Sequence, residues 1–125
     1  MAKMAVIGAN GQLGSDLVFA AQGFGYEVAE LTHDDIEITD EQSVQRALGA
    51  VAPDVVVTTA AYQGAKTYSA GDQLAYYRVN ALGVWHLARW CDVHGATLVY
   101  YSTDYVFGGD TTRQVPYTED DAPFP

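Results

Sequence analysis

The sequence has little positive charge. Its 125 residues include six Lys and Arg against sixteen Asp and Glu, which gives a formal net charge of −10. Proteins that bind nucleic acid need clustered cations along the phosphate backbone, so this balance argues against a nucleic-acid partner. Any anionic ligand must instead be held by backbone N–H groups and by the positive ends of helices.

Cysteine and long apolar runs are also scarce. Cys91 is the single cysteine and cannot form an internal disulfide, which is typical of a reducing, cytoplasmic setting. Its place in a helical pattern indicates a packed thiol rather than a nucleophile. No apolar run reaches the roughly 18 residues of a membrane span, and residues 1–4 lead straight into a strand without a signal-peptide pattern. We therefore expect a cytoplasmic protein that does not bind membranes.

Histidines are few as well, and they give no metal-binding pattern. His86 and His94 lie eight residues apart on one predicted helix, too far for joint ligation, and His33 belongs to a different segment. We expect surface or packing roles for all three. The sequence predicts no metal site.

What the sequence does contain is a regular alternation of apolar strands and helical segments, with 49% hydrophobic residues. Predicted strands cover residues 3–7, 26–31, 55–58 and 97–101, and predicted helices cover residues 12–24, 40–50 and 72–94. Thr39 is the predicted N-cap of the second helix, with Gln42 completing a capping box, and Gly95 is the predicted stop of the third. Strands separated by helices predict parallel βαβ units with right-handed crossovers. We therefore expect one α/β domain over residues 1–125, a Rossmann-type doubly wound parallel sheet in three α/β/α layers.

The first predicted strand runs into a glycine loop and then directly into a helix. In such a junction Gly8 takes the tight turn, Gly11 lets backbone N–H groups approach phosphates, and Gly14 lets the helix pack on the strand. We predict that the loop cradles a diphosphate; its residues are Gly8, Asn10, Gly11, Gln12, Leu13 and Gly14. The alternative is a tight turn without a ligand.

The glycine spacing, G-x-x-G-x-x-G, resembles that of extended short-chain dehydrogenase/reductases and implies a nicotinamide cofactor. An ATP-binding P-loop is disfavoured because no Gly-Lys-Ser/Thr follows. The second strand ends in Leu31-Thr32-His33, without the carboxylate that an NAD-selective site places against the ribose 2′-hydroxyl. Glu30 is an alternative carboxylate, which we expect to point away. Thr32 and His33 therefore favour NADP(H), or dual use of NADP(H) and NAD(H).

Residues 101–107 (Y-S-T-D-Y-V-F), together with the glycine loop, closely resemble the dTDP-4-dehydrorhamnose reductases. These extended short-chain reductases reduce the 4-keto group of a nucleotide-linked 6-deoxysugar. Residues 53–56, 77–83 and 116–121 match as well, so the resemblance covers essentially the whole chain. It implies an NAD(P)H-dependent oxidoreductase of nucleotide-sugar metabolism in the full-length parent. The alternative is a dinucleotide- or partner-binding regulatory module, like the non-catalytic branch of the family that binds methionine adenosyltransferase.

The resemblance also implies roles for single residues. Thr103 corresponds to the hydroxyl that hydrogen-bonds the substrate carbonyl and the catalytic tyrosine. Taken alone, it would be a turn hydroxyl that satisfies local backbone. Asn80 is expected to shape the site from the long helix, and the backbone of Ala60 and Ala61 to lie along the nicotinamide half of the cofactor.

Four further positions complete the predicted cofactor site. Glu37 and Ile38 take the places of an acidic residue and of an apolar residue against adenine; the alternative is that residues 34–37 form a solvated acidic loop. Tyr62 and Ser102 follow the third and fourth strands, at the strand ends where ligands of open parallel sheets bind.

The chain departs from the family pattern at the general acid. The family's Tyr-x-x-x-Lys would fall just beyond Pro125, and the C-terminal substrate domain is absent as well. We therefore expect a truncated Rossmann domain that binds a dinucleotide with little or no reductase turnover, so whether the chain is itself an enzyme stays open. Residues 62–66 have the Tyr-x-x-x-Lys spacing, but they follow the third strand and include a glycine, which argues against a catalytic helix.

Two other departures concern the substrate and the surface. Thr58-Thr59 replace the usual Asn-Ala, and residues 65–69 replace the usual Val-Asp-Lys-Ala-Glu, which puts the identity of the sugar in doubt. Missing later strands would expose one sheet edge and the apolar face of the helix over residues 72–94. We therefore expect a homo-oligomer that associates through that helix.

Overall fold

The structure is a computed structural model that describes residues 1–63 and 69–125. One parallel sheet has the order β2-β1-β3-β4. Its strands are β1 Lys3–Ile7, β2 Glu27–Leu31, β3 Val55–Thr58 and β4 Thr97–Tyr100. The helices are α1 Gln12–Gly23, α2 Glu41–Val51, α3 Ala70–Tyr77 and α4 Val84–His94. A π-helical turn, Arg78–Gly83, joins α3 to α4, and a 3₁₀ turn, Asp104–Val106, follows β4. The predicted Rossmann-type α/β fold is confirmed, with element bounds within two residues of the predictions.

The strand register brings the loops after the strands to one edge of the sheet. Ile7 of β1 is aligned with Leu31 of β2 and with Thr58 of β3, and Thr58 is aligned with Tyr100 of β4. The chain leaves β1 towards β2 on one side and later crosses to β3 on the other. The strand order therefore reverses between β1 and β3, where open α/β sheets form their binding crevice.

The core lies on both faces of the sheet. The larger cluster joins strand residues such as Ala5, Ile7 and Val56 to Val44 and Leu48 of α2 and to Leu87 and Trp90 of α4. A smaller cluster packs Val6 of β1 against Ala9 and Val18, beneath α1. Helices therefore cover both faces, as three layers require.

Cys91 packs in the larger cluster, and its exposure is 3%. Burial raises the pKa of its thiol, which keeps the sulfur protonated and disfavours nucleophilic chemistry. The predicted packed thiol is confirmed.

The N-cap of α2 differs from the sequence prediction. Asp40 precedes the helix, and its Oδ1 accepts a hydrogen bond from Gln42 N at 2.9 Å. The predicted cap, Thr39, instead donates its hydroxyl to Glu37 Oε1 at 2.9 Å. The prediction was wrong because the carboxylate of Glu37, two residues earlier, engages the Thr39 hydroxyl and Asp40 takes over the capping.

A capping box does occur at α3. There Ser69 Oγ accepts from Asp72 N, and Asp72 Oδ2 accepts from Ser69 N. This box starts the long helical segment at Ala70, two residues before the prediction. Its end at Gly95, with φ +70°, is confirmed. None of the helices in the described ranges combines the length and hydrophobicity that a bilayer crossing needs.

Candidate functional site

The glycine loop after β1 has a geometry that larger residues would break. Gly8 has φ +82°, and a Cβ there would lie 2.7 Å from Thr59 Oγ1. A Cβ on Gly14 would lie 2.0 Å from the carbonyl oxygen of Gly8, a backbone atom that cannot give way. Gly8 therefore makes the turn and Gly14 lets α1 sit against it, which are the conformational roles predicted from the spacing.

The start of α1 offers unpaired backbone donors. The N–H groups of Gln12, Leu13 and Gly14 have no acceptor among the described residues, and the first helical hydrogen bond runs from Ser15 N to Gly11 O at 2.9 Å. Gly11 is an N-cap without a side-chain cap, and the first turn carries no acidic residue. The loop therefore presents a positive helix end to the space beyond the strands.

A first cavity, of about 500 Å³, extends from the glycine loop past the end of β2 to α3. Nine predicted cofactor residues line it: Gly8, Asn10, Thr32, His33, Glu37, Ile38, Ala60, Ala61 and Tyr62. Its far wall is formed by Gly71, Leu74, Ala75, Arg78 and Val79.

A second cavity, of about 520 Å³, lies on the other side of the loop. Predicted residues in its lining are Gln12, Leu13, Ala60, Ala61 and Ser102, joined by Asp16, Thr58, Thr59, Gln63 and Tyr101. Because Ala60 and Ala61 line both cavities, the two spaces adjoin beside the positive end of α1. Four predicted site residues line neither cavity: Gly11, Gly14, Asn80 and Thr103.

The turn after β2 holds the carboxylate of Asp35 in place through hydrogen bonds from Thr32. Asp35 Oδ2 accepts hydrogen bonds from Thr32 N at 2.7 Å and from Thr32 Oγ1 at 2.8 Å. These bonds lower the pKa of Asp35 and keep it ionised. The side chain of Asp35 therefore braces the turn that carries Thr32 and His33 at the cavity wall.

Glu37 is held in a similar way. Its Oε1 accepts from Thr39 N and Thr39 Oγ1, both at 2.9 Å, and its Oε2 lies 3.6 Å from His33 Nε2. Ile36 and Ile38 on either side are buried in the core. The alternative of a solvated acidic loop therefore describes Asp34 and Asp35, which are exposed, but not residues 36–38.

Asn80 acts on the cavity through the backbone of Tyr62. Its Oδ1 accepts from Tyr62 N at 2.8 Å, and its Nδ2 donates to Tyr62 O at 3.0 Å. This two-bond contact ties the loop after β3 to the π-helical turn. The role in shaping the cofactor site that the resemblance implies for Asn80 stays a prediction.

Tyr62 itself has the wrong environment for a general acid. Its hydroxyl donates to Asp72 Oδ1 at 3.1 Å, and this bond raises the pKa of the phenol. A tyrosine that works beside a lysine needs the opposite shift. The other end of the Tyr-x-x-x-Lys spacing, Lys66, lies outside the described residues.

Thr103 caps the 3₁₀ turn after β4. Its Oγ1 accepts from Tyr105 N at 3.1 Å, so the hydroxyl does satisfy local backbone, as its residue type alone suggests. The hydroxyl proton has no acceptor in residues 1–63 or 69–125, and the residue is exposed. Its role towards a carbonyl stays a prediction from the resemblance.

No cluster of metal-ligating side chains is present in the part of the chain that the structure describes. His86 Nδ1 lies 2.9 Å from Ile38 O, and His94 Nδ1 lies 2.8 Å from Trp90 O. Both rings are thus used in local packing, while His33 belongs to the first cavity.

Sequence reasoning missed the far wall of the first cavity and the contact made by Thr59. Thr59 donates to Ile7 O at 3.0 Å and to Gly8 O at 3.3 Å. The far wall could have been found from the spacing of residues 71, 74, 75 and 78, which is a helical face. Its distance in sequence from the glycine loop concealed the connection.

Comparison with known proteins places the chain in a family. The model of the family described as "RmlD substrate binding domain" matches residues 2–125. The spore coat polysaccharide biosynthesis protein SpsK of Bacillus subtilis is 40% identical over 121 residues, which are 97% of this chain and 42% of that protein. A dTDP-4-dehydrorhamnose reductase of Mycobacterium tuberculosis is 41% identical over 108 residues, 86% of this chain and 34% of the relative.

A solved structure agrees with this assignment. The dTDP-4-dehydrorhamnose reductase of Bacillus anthracis, crystallised in complex with NADP, superposes with a TM-score of 0.87 and 34% identity. The superposition covers 99% of this chain and 43% of the crystallised one. The chain thus spans well under half the length of these relatives. It belongs to the RmlD family, which includes the dTDP-4-dehydrorhamnose reductases, and corresponds to the N-terminal part of its members.

Proposed function

We propose that this chain is the NAD(P)H-binding part of a nucleotide-sugar 4-ketoreductase that resembles dTDP-4-dehydrorhamnose reductase. One observation carries the proposal: Gln12 and Leu13, whose backbone N–H groups are unpaired, line the second cavity, and this cavity shares Ala60 and Ala61 with the first. A dinucleotide has this layout, with a diphosphate between two nucleosides. The NADP complex of the Bacillus anthracis relative supports the same cofactor class.

The chain's residues fit the two halves of such a ligand. The first cavity has an apolar lining from Ile36, Ile38 and Val79 that suits adenine, and polar groups on Thr32 and His33 that suit a ribose. The second cavity, with Ala60, Ala61 and Ser102, would hold the nicotinamide half. The diphosphate would lie against the N-terminus of α1, where the helix dipole favours negative charge.

A reduced nicotinamide supplies hydride to a carbonyl carbon. The contribution of this chain would be to bind the cofactor, to orient its ring along Ala60 and Ala61, and to present Thr103 at the end of β4. The free hydroxyl proton of Thr103 can be donated to a substrate carbonyl without placing a charge there. The proton for the developing alkoxide would come from the family's Tyr-x-x-x-Lys.

The turn after β2 favours use of NADP(H), with NAD(H) as a second cofactor. Its two nearest structured carboxylates are already engaged: Asp35 by Thr32, and Glu37 by Thr39. Thr32 and His33 line the first cavity at the strand end where an NAD-selective site carries its carboxylate against the ribose 2′-hydroxyl.

Location and assembly form part of the same proposal. A free, buried Cys91 is compatible with the cytoplasm. Tyr77, Trp85 and Val93 on the α3–α4 segment are 63%, 50% and 75% exposed, which supports homo-oligomerisation through these helices. A solution mass equal to one chain at micromolar concentration would contradict self-association.

The proposed function is tested by titrating the chain with NADPH and with NADH and measuring the heat of binding by calorimetry. We expect saturable binding in the micromolar range. Gly11→Asp should abolish it, because a carboxylate at the N-cap repels the diphosphate from the unpaired N–H groups.

Gly23→Asp is the matched control. It adds the same charge at the other end of α1, where a new side chain meets nothing within 4 Å. Equal binding by all three proteins would overturn the assignment of the cradle. If the unmodified chain binds neither nucleotide, it retains only the scaffold of its family, and a partner-binding regulatory module becomes the better hypothesis.

A further inference from the structure

Positive charge is rare in this chain, and three of the five Lys and Arg side chains that the structure describes form ion pairs. Lys3 Nζ lies 2.9 Å from Glu27, Arg89 Nη1 lies 3.4 Å from Glu41, and Arg113 Nη2 lies 2.7 Å from Asp121. Among the lysines and arginines that the structure describes, only Arg46 and Arg78 lack an ion pair or a side-chain hydrogen bond. In a chain with sixteen acidic residues, an arginine without a carboxylate partner is informative.

The two unpaired arginines differ in position. Arg46 lies on the exposed face of α2 and lines neither cavity. Arg78, at the first residue of the π-helical turn, lines the first cavity beside Leu74 and Ala75, one helical turn earlier. Across this cavity stand Thr32 and His33, and Asn10 of the glycine loop forms its near end.

The acidic residue of the same cavity does not compete for Arg78. Glu37 uses Oε1 for both donors of Thr39 and turns Oε2 towards His33. Arg78 therefore brings five N–H donors and a full positive charge to the lining of a cavity in which Glu37 is the one acidic residue that the structure describes. A guanidinium in this setting matches a phosphate, which it binds through two parallel hydrogen bonds.

From this arrangement we propose that Arg78 binds a phosphate on the adenosine half of the dinucleotide and so determines affinity for the cofactor. The proposal rests on the proposed function. The phosphate is either the ribose 2′-phosphate of NADP(H) or the diphosphate common to both cofactors. Arg78 would then act from the side of the cavity opposite α1, so that the anion is held by a helix end and by a side chain.

The test compares Arg78→Gln with Arg46→Gln. Both substitutions remove one positive charge from an exposed helical position, so the net charge changes equally. Calorimetry with NADPH, NADH, 2′,5′-ADP, 5′-ADP and adenosine then assigns the contact. We expect Arg78→Gln to lower the affinity for the phosphate-bearing ligands by about 10- to 100-fold, which is the usual range for a hydrogen bond to a charged group. Adenosine should bind as before, and Arg46→Gln should change nothing.

The ligand series separates the two phosphates. A loss confined to NADPH and 2′,5′-ADP places Arg78 at the 2′-phosphate, and equal losses for NADPH and NADH place it at the diphosphate. Arg78→Lys should recover part of the affinity, because it restores the charge but not the paired donors.

Unchanged affinities in Arg78→Gln, with normal binding by the unmodified chain, would overturn this proposal alone. An equal loss of NADPH affinity in Arg46→Gln and Arg78→Gln would overturn it as well. So would an equal loss of adenosine affinity in Arg78→Gln. No nucleotide binding by the unmodified chain would overturn the proposed function, and this proposal with it.

Discussion

The loop after the first strand and the segment after the last strand are built in different ways. The glycine loop, residues 8–14, is fixed by backbone: Gly8 N donates to Leu31 O at 2.8 Å, and Gly11 N donates to Gly8 O at 2.9 Å. It follows β1, which has a strand on each side and three buried residues at its carboxyl end. No ionisable group takes part in these contacts.

The C-terminal segment, residues 101–125, relies on side chains at the surface. Arg113 forms a two-point ion pair with Asp121, at 3.2 and 2.7 Å. The Arg113 guanidinium also lies 4.0 Å from the ring centroid of Tyr117, which stacks on Phe107 at 4.7 Å. The segment follows β4, an edge strand on which Val99 and Tyr100 are about two-fifths exposed (38% and 42%).

The two regions therefore depend on different features of the structure. The glycine loop depends on the absence of side-chain atoms, so a single methyl group should disrupt it, whereas a change of charge nearby should not. The C-terminal segment, which carries Thr103, combines backbone hydrogen bonds, such as Gly109 N to Phe124 O at 2.7 Å, with contacts of the Asp121 carboxylate, and those contacts should respond to pH. Under the proposed function, the first region binds the cofactor and the second presents the predicted catalytic hydroxyl.

The largest expected effect comes from a methyl group in the glycine loop. Gly14→Ala would place a Cβ 2.0 Å from Gly8 O and 2.9 Å from Ala9 Cα, so the loop and α1 must separate. We expect the free energy of unfolding to fall by about 3 kcal/mol, the upper range for overpacking, together with loss of dinucleotide binding. Urea denaturation and calorimetry would measure both quantities.

Gly23→Ala is the control for Gly14→Ala. A Cβ at Gly23 meets nothing within 4 Å, and alanine favours the helix, so stability should rise by a few tenths of a kcal/mol, to about 1 kcal/mol at most. If Gly14→Ala were as stable as Gly23→Ala, the loop would be more adaptable than its geometry indicates.

A smaller effect is expected from Thr59, which fastens the loop to β3. Thr59→Val keeps the shape but removes the hydrogen bonds to Ile7 O and Gly8 O. We expect a loss of about 1 kcal/mol in the free energy of unfolding and a several-fold weaker affinity for NADPH. Thr59→Ser retains the hydroxyl and should stay close to the unmodified chain in both. Equal stability and equal NADPH affinity of Thr59→Val and Thr59→Ser would show that the hydroxyl contributes nothing to the loop.

The smallest and most local effect concerns Asp121. Its pKa is lowered, first by the backbone hydrogen bond from Thr118 and next by Arg113. A lowered pKa in the folded state contributes stability that is complete above the ordinary value of 3.8 and is lost as pH falls through the lowered value. As the pH falls through this lowered value, which lies below 3.8, we therefore expect the Thr118 amide to lose its hydrogen bond to Asp121 Oδ2.

Amide NMR between pH 6 and pH 2.5 would follow this loss. Thr118 should shift while Gly8 and Gly11 stay constant, and Asp121→Asn should remove the transition of Thr118. A transition that moves the glycine loop and the C-terminal segment together would contradict their independence.

The same contrast explains how much the sequence could predict. The roles of Gly8 and Gly14 followed from spacing, because a strand–turn–helix junction constrains its glycines locally. Helices and strands followed from periodicity for the same reason. The sequence pattern assigned the N-cap of α2 to Thr39 instead of Asp40. Which residue caps the helix depends on the hydrogen bond between Thr39 and the Glu37 carboxylate, and the sequence does not specify where that carboxylate points.

Contacts between distant segments could not be predicted. The π-helical turn lies where Gly83 approaches Ile38, and a Cβ on Gly83 would lie 2.8 Å from the Ile38 side chain. That approach needs the tertiary fold. Arg78 was missed as a cavity residue for the same reason, since 64 residues separate it from Gly14 and only the sheet brings α3 opposite the loop.

The central claim is that a dinucleotide lies across the two cavities beside the glycine loop. Amide chemical-shift mapping of the isotopically labelled chain, titrated with NADPH, tests it most directly. The account predicts large shifts for Gly8, Gln12, Leu13, Thr32 and Ala61, and little change over residues 113–121. Shifts centred on residues 113–121, with residues 8–14 unmoved, would contradict it.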